Sequence, residues 1–149
     1  MRSCAKAERA VGVRCMLDTN ILVSAALFPQ SLCAAAYMRA VAPPFEGVVC
    51  GYILEELRRV FLLKFPHRLE AYAGFVGLLL QAVEVVATPP EGAYAERERQ
   101  LGDIKDRPIL RAALAANVAF LITGDKGFLL SPLQKPKMLS AAEFLRLGC

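Results

Sequence analysis

The stretch Val13-Arg14-Cys15-Met16-Leu17-Asp18-Thr19-Asn20-Ile21-Leu22-Val23-Ser24 decides the fold. An apolar run with Arg14 as its only charge stops on a carboxylate, and helix-opening residues follow at once. Val13–Leu17 therefore reads as a strand, Asp18-Thr19-Asn20 as a set of cap-type residues, and Ile21–Phe28 as helix. The same order returns near the end of the chain, where the strand Val118–Ile122 runs into Thr123-Gly124-Asp125.

Between these two points the pattern is regular. Pro29-Gln30-Ser31 breaks the first helix, and Ser31 caps a second that runs to about Ala40. After Pro43-Pro44 comes a short buried strand, Gly47–Cys50. Tyr52–Lys64 has apolar residues at helical spacing and stops before Pro66. Arg68–Gln81 is a further helix, and Val83–Ala87 is a β-branched strand closed by Pro89-Pro90. Glu91–Asp106 is polar, a loop or a weak helix, before the helix Pro108–Ala116. Lys137–Leu139 is a last strand, and Ser140 caps a C-terminal helix. Strands alternating with helices imply a parallel sheet covered on both faces, an α/β fold. Residues 13–149 are expected to form one domain, with 1–12 as a flexible lead-in.

Composition agrees with one domain. The chain has 149 residues, of which 56% are hydrophobic, ample for a core. Charged residues make up 21%, too few for a disordered chain. The net charge of +4 is compatible with nucleic acid without requiring it. A single histidine, His67, excludes a histidine pair in acid–base work and zinc sites needing several histidines. The uncharged run Ala71–Leu80 ends at Gln81 and Glu84, short of the roughly 18 residues a crossing helix needs. Five scattered cysteines without a CxxC spacing argue against a disulfide framework or a zinc ribbon and for a reduced, cytoplasmic chain.

The acids are placed unusually. Asp18 and Asp125 each follow a strand, and the carboxyl ends of parallel strands line the ligand crevice of an open sheet. Glu55 and Glu56 sit in the helix after the Val48-Val49 strand, and Asp103 and Asp106 precede the helix that leads back to the sheet. Carboxylates brought together repel unless a cation or a shared proton offsets their charge. Mg²⁺ or Mn²⁺ suits such an all-oxygen set. Each acid also has a plain structural reading. Asp106 before Arg107-Pro108 is a helix N-cap, the stronger reading for that residue taken alone. Asp125 ends a turn, and Glu55 and Glu56 are solvated helix residues. Asp18, directly after an apolar strand, fits a structural reading least well, and it is the acids together that tilt the balance. No GxxxxGK[ST], GxGxxG or GxSxG pattern supports a nucleotide cradle or a serine nucleophile.

Four ordered segments, Met16-Leu-Asp-Thr-Asn-Ile-Leu-Val-Ser24, Leu54-Glu-Glu-Leu-Arg-Arg-Val-Phe61, Asp103-Ile-Lys-Asp-Arg-Pro-Ile-Leu110 and Leu121-Ile-Thr-Gly-Asp125, resemble those of the PIN domain family. The flavour is that of VapC-like toxin components of toxin–antitoxin systems. The resemblance spans about Cys15 to Leu145. It implies a three-layer α/β/α sandwich with a central parallel sheet, and a metal-dependent nuclease acting on RNA to leave a 5′-phosphate and a 3′-hydroxyl. Its acidic quartet carries over onto Asp18, Glu56, Asp106 and Asp125, with Asp18, Asp106 and Asp125 as ligands of Mg²⁺ or Mn²⁺. Asn20 and Thr123 match supporting polar positions, and Asp103 an additional acid. Gly51 stands where a serine is common, and Ile104 where a proline is frequent; neither change removes a ligand. Arg58, Lys64, Lys105, Arg107 and Lys126 lie near the acids in sequence and are candidates for holding the RNA backbone, each with a solvated surface role as the alternative.

Three roles compete on this sequence: the toxin of a type II toxin–antitoxin pair, a housekeeping RNA-processing nuclease of the same fold, and a non-catalytic module that binds metal or nucleic acid. A phosphoacceptor of the receiver type would need paired acids ahead of Asp18, and there are none. Between Asp18 and Glu46 the only charged residue is Arg39. That leaves an apolar excess around Leu27, Phe28, Leu32, Tyr37 and Met38, expected to form a homodimer interface or a groove for a small antitoxin.

Overall fold

The computed structural model describes residues 12–148; the expected lead-in lies almost wholly outside them. The first strand, β1, is Val13–Leu17, and its last three residues are fully buried. Helices α1 (Thr19–Leu27) and α2 (Leu32–Ala40) follow. Ser31 caps α2 through its hydroxyl, which accepts from the Ala34 N–H at 3.1 Å. Then come β2 (Phe45–Cys50), α3 (Gly51–Lys64), a 3₁₀ turn at Pro66–Arg68, α4 (Leu69–Ala82) and β3 (Glu84–Val86). The remainder is α5 (Ala95–Glu98), a 3₁₀ turn at Ile104–Asp106, α6 (Arg107–Ala115), β4 (Phe120–Ile122), α7 (Lys126–Leu129), β5 (Lys137–Leu139) and α8 (Ala141–Arg146). No single helix among the described residues is long and apolar enough to cross a membrane; α1 and α2 are bent apart by 112° at the Pro29 break.

The five strands form one sheet in the order β3-β2-β1-β4-β5, every neighbouring pair parallel. Met16 at its centre lies opposite Val48 on one side and Leu121 on the other. Helices cover both faces, the expected three-layer arrangement. The connections from β1 and from β4 leave in opposite directions along the sheet. A crevice therefore opens between the carboxyl ends of these two neighbouring strands. Asp18 directly follows β1, and Asp125 comes three residues after β4.

Two segments are more sharply defined than the sequence reading left them. The polar stretch 91–106 folds as a short helix and a 3₁₀ turn, pinned by Arg111. Its Nε donates to the Pro89 carbonyl at 2.8 Å, and its Nη1 meets Glu98 Oε1 at 3.0 Å in a buried ion pair. In the apolar excess of α1 and α2, Leu27 and Tyr37 are core residues, whereas Phe28, Leu32 and Met38 are exposed.

Candidate active site

The crevice is a cleft of about 410 Å³, and Asp18, Glu56, Asp106 and Asp125 all line it. Asp18 is the most enclosed, with 5% of its surface exposed. Its Oδ1 accepts from the Thr19 N–H at 2.7 Å and its Oδ2 from the Thr123 hydroxyl at 2.6 Å, so both oxygens are held. Burial raises its pKa to about 6, against the pull of those two hydrogen bonds and with help from the charges of Glu56 and Asp125. Thr123, itself fully buried, also accepts the Asp125 N–H at 3.0 Å, and one hydroxyl thus fixes both strand-end acids. Asn20 closes the other side of that turn, its Oδ1 accepting the Gly124 N–H at 3.2 Å.

Glu56 faces the cleft from α3. Its Oε1 accepts the Thr19 hydroxyl at 2.5 Å, a contact between residues 37 apart in sequence. Thr19 thus bridges Asp18 and Glu56, one through its backbone and one through its side chain. Reading it only as a helix-start residue missed this; a hydroxyl directly after the strand-end acid was the available signal.

Asp106 corrects the N-cap reading. It precedes α6 with Pro108 in the first turn, yet its own backbone is helical and its side chain makes no capping hydrogen bond. The carboxylate is directed at Asp125 instead. Asp106 Oδ2 and Asp125 Oδ2 are both shut off from solvent without a hydrogen-bond partner. Both lie 3.3 Å from where a Cβ on Gly127 would stand. Two carboxylate oxygens in that position can bond only if one retains a proton. Accordingly, burial first, then Asp125, raise the Asp106 pKa to about 8. Asp103 is exposed and caps the 3₁₀ turn, its Oδ1 accepting the Lys105 N–H at 3.0 Å; it does not line the cleft.

The five cations separate. Lys64 lines the cleft. Arg58 is exposed and paired with Glu55 at 2.9 Å. Arg107 lines a second cavity beside Glu98 and Arg111. Lys105 and Lys126 are exposed and outside the cleft lining.

Among the described residues no three His, Cys, Asp or Glu side chains stand together as a ready-made metal cage. The donor chemistry nevertheless fits a hard divalent cation. Every candidate ligand is a carboxylate oxygen, two of them lack a partner, and burial beside Asp125 disfavours the Asp106 charge that a cation would offset.

An acid-lined crevice at the switch point of an open parallel sheet lies where α/β proteins of this kind bind their ligands. The chain belongs to the PIN domain family, whose pattern matches residues 14–127. Members of this family are generally nucleases that use divalent metal ions. In fold it is similar to a chain in the crystal structure of VapBC2 from Rickettsia felis bound to a DNA fragment from their promoter. The TM-score is 0.64 at 20% identity, over 86% of this chain and 98% of that one. No curated protein matches it in sequence.

Proposed function

We propose that the chain is a Mg²⁺- or Mn²⁺-dependent endoribonuclease and the toxin half of a type II toxin–antitoxin pair, acting in the cytoplasm as a homodimer. The observation that carries the nuclease reading is the convergence of four acids, from four separate stretches of chain, on one cleft. Two of their oxygens are left unpartnered there. Similarity in fold to the VapBC2 structure supports the toxin assignment and a small antitoxin partner. The exposed Phe28, Leu32 and Met38 support a protein contact at α1 and α2.

Asp18, Asp106 and Asp125 would hold the ion. When bound, it would acidify a water and offset the charge that builds on the phosphate oxygens during in-line displacement. Asp18 is pinned at both oxygens and supplies a carboxylate of fixed direction. Asp106 and Asp125 would supply the two carboxylate oxygens that lack a partner within the protein. Glu56, tied to Thr19 through Oε1, has Oε2 available to orient the attacking water or accept its proton. Lys64 holds a neighbouring phosphate at the rim.

The test is cleavage of RNA by the purified protein with Mn²⁺, beside EDTA and Asp18→Asn controls. Cutting that needs the ion and is lost in the variant is expected, with 5′-phosphate ends. Unchanged cutting by Asp18→Asn would overturn the assignment.

A further inference from the structure

A second cavity has no part in the chemistry just described. It shares α6 with the acidic cleft: Asp106 and Ile109 line the cleft, whereas Arg107, Pro108 and Arg111 line this cavity. Its volume is about 550 Å³, and three guanidinium groups, those of Arg99, Arg107 and Arg111, border it. Arg111 is the fixed one. It is only 7% exposed, and its fork is held by the Pro89 carbonyl at Nε and by Glu98 Oε1 at Nη1, which leaves Nη2 unpartnered among the described residues. Glu98 is committed to that pairing, and its Oε2 is shut off from solvent. Arg107 is the least satisfied. Its Nε is enclosed without a partner, and its Nη2 makes a long hydrogen bond of 3.4 Å to the Leu101 carbonyl. No carboxylate among the described residues pairs with it. Arg99 is exposed and meets Glu96 at 3.9 Å. Buried polar atoms are ordinarily partnered, and an exception marks a place where a water or an ion completes the set.

Arg111 and Glu98 neutralise each other. The charge presented to an occupant is therefore that of Arg99 and Arg107, against one exposed carboxylate, Glu91. A planar guanidinium fork suits an oxyanion, and a phosphate has oxygens enough for three forks. A terminal phosphate carries close to two negative charges at neutral pH, whereas the diester of a nucleic-acid backbone carries one. The terminal group is the better match for two uncommitted arginines. It fills only a small part of the cavity. The rest is bordered by Ile104, 72% exposed, and by Pro108, which offer a shelf to an apolar body attached to the phosphate. We propose that Arg99, Arg107 and Arg111 form a binding site for a terminal phosphate, with Glu98 holding the Arg111 fork in place. Its sources are inorganic phosphate and the 5′-phosphate of a nucleotide.

Titration calorimetry on the full chain tests this, in EDTA so that no metal draws phosphate into the acidic cleft, and at constant ionic strength. The probes are inorganic phosphate, a nucleoside 5′-monophosphate and a dinucleoside monophosphate, whose only phosphate is a diester. One saturable site is expected for a terminal phosphate, with the diester at least about 10-fold weaker. Arg107→Gln and Arg99→Gln should each weaken binding about 10- to 150-fold, the loss of one charge-assisted hydrogen bond. A melting curve confirms that each variant is folded; Arg111 is left intact because its loss would strand Glu98. A monophosphate that binds at least about 10-fold tighter than inorganic phosphate assigns the nucleotide as occupant, with its nucleoside on Ile104 and Pro108. Equal affinities assign inorganic phosphate. The site is overturned if neither terminal phosphate saturates, if the diester binds equally well, or if both arginine variants bind like wild type. None of these outcomes bears on the ribonuclease reading, since no metal is present and no RNA is cut.

Discussion

Replacing Asp106 by asparagine should stabilise the metal-free protein at neutral and alkaline pH while ending cleavage. The Asp106 carboxyl, ordinarily near 3.8, is raised to about 8 by burial and by Asp125. A native pKa above the unfolded one means that the native state binds the extra proton. Stability from this group is then complete below about pH 4 and is lost as pH climbs through about 8. Four units correspond to about 5–6 kcal/mol as an upper bound. Asp106 is only half-buried and shares its charge with Asp125, so a net ~2 kcal/mol is the reasonable share. Asparagine removes the charge and brings an N–H that can donate to the orphaned Asp125 Oδ2. Urea denaturation in EDTA at pH 4, 7 and 8.5 measures this. The wild-type protein should weaken from pH 4 to 8.5. The variant should lose less, and should exceed wild type by ~2 kcal/mol at pH 8.5 while matching it near pH 4. Asp18, whose pKa is about 6, adds a slope of the same sign to both proteins and cancels in the comparison. Adding Mn²⁺ at ~100 times its dissociation constant should recover roughly 2.7 kcal/mol in wild type alone. Equal pH slopes, or a variant less stable than wild type at pH 8.5, would refute the account of Asp106 as a repelled partner of Asp125.

Four further outcomes follow from the same geometry. Thr19→Val breaks the 2.5 Å bond to Glu56 and should cost about 1.5–3 kcal/mol in denaturation together with most of the cleavage rate, whereas Thr19→Ser should retain both. Gly127→Ala puts a methyl 3.3 Å from Asp106 Oδ2 and Asp125 Oδ2; a thermal-shift titration should show a weaker Mn²⁺ response with the metal-free melting temperature nearly unchanged. Asp103→Asn should reduce cleavage less than Asp106→Asn, because Asp103 caps an exposed turn outside the cleft; the reverse ranking in a side-by-side rate measurement would exchange their roles. Light scattering at high micromolar concentration should show a dimer that Leu32→Glu dissociates, because Leu32 is 61% exposed on the apolar face of α2.

What the sequence made legible and what it hid divide on a physical line. Strands and helices whose residues interact with close neighbours could be read directly. β1 and β5 have the expected bounds, and Ser31 and Ser140 cap the helices they precede. Asp18 was conspicuous because an acid after an apolar strand violates the local pattern, and such violations concentrate where a fold serves a ligand. The features that escaped depend on contacts between distant residues. The buried pairing of Glu98 with Arg111 turned an ambiguous polar stretch into defined structure, and nothing within 91–106 announces a partner at 111.

Asp106 is the sharper case, because its local signal pointed the wrong way. Acid, arginine, proline is a helix opening by every nearby rule, and α6 does begin there. Propensity could place the backbone turn but not the carboxylate, since the competing partner is Asp125, nineteen residues on and across the crevice. A cap would have been worth on the order of 1 kcal/mol. The fold forgoes it and instead sets a carboxylate against another carboxylate, an arrangement unfavourable for the polypeptide alone at neutral pH. A local rule broken at a net loss, beside a glycine, Gly127, at which a methyl would crowd both oxygens at 3.3 Å, is the kind of violation that marks a ligand site. A divalent cation held by Asp106 and Asp125 would offset their repulsion, which is why this pair, rather than the better-satisfied Asp18, is where metal dependence should be sought first.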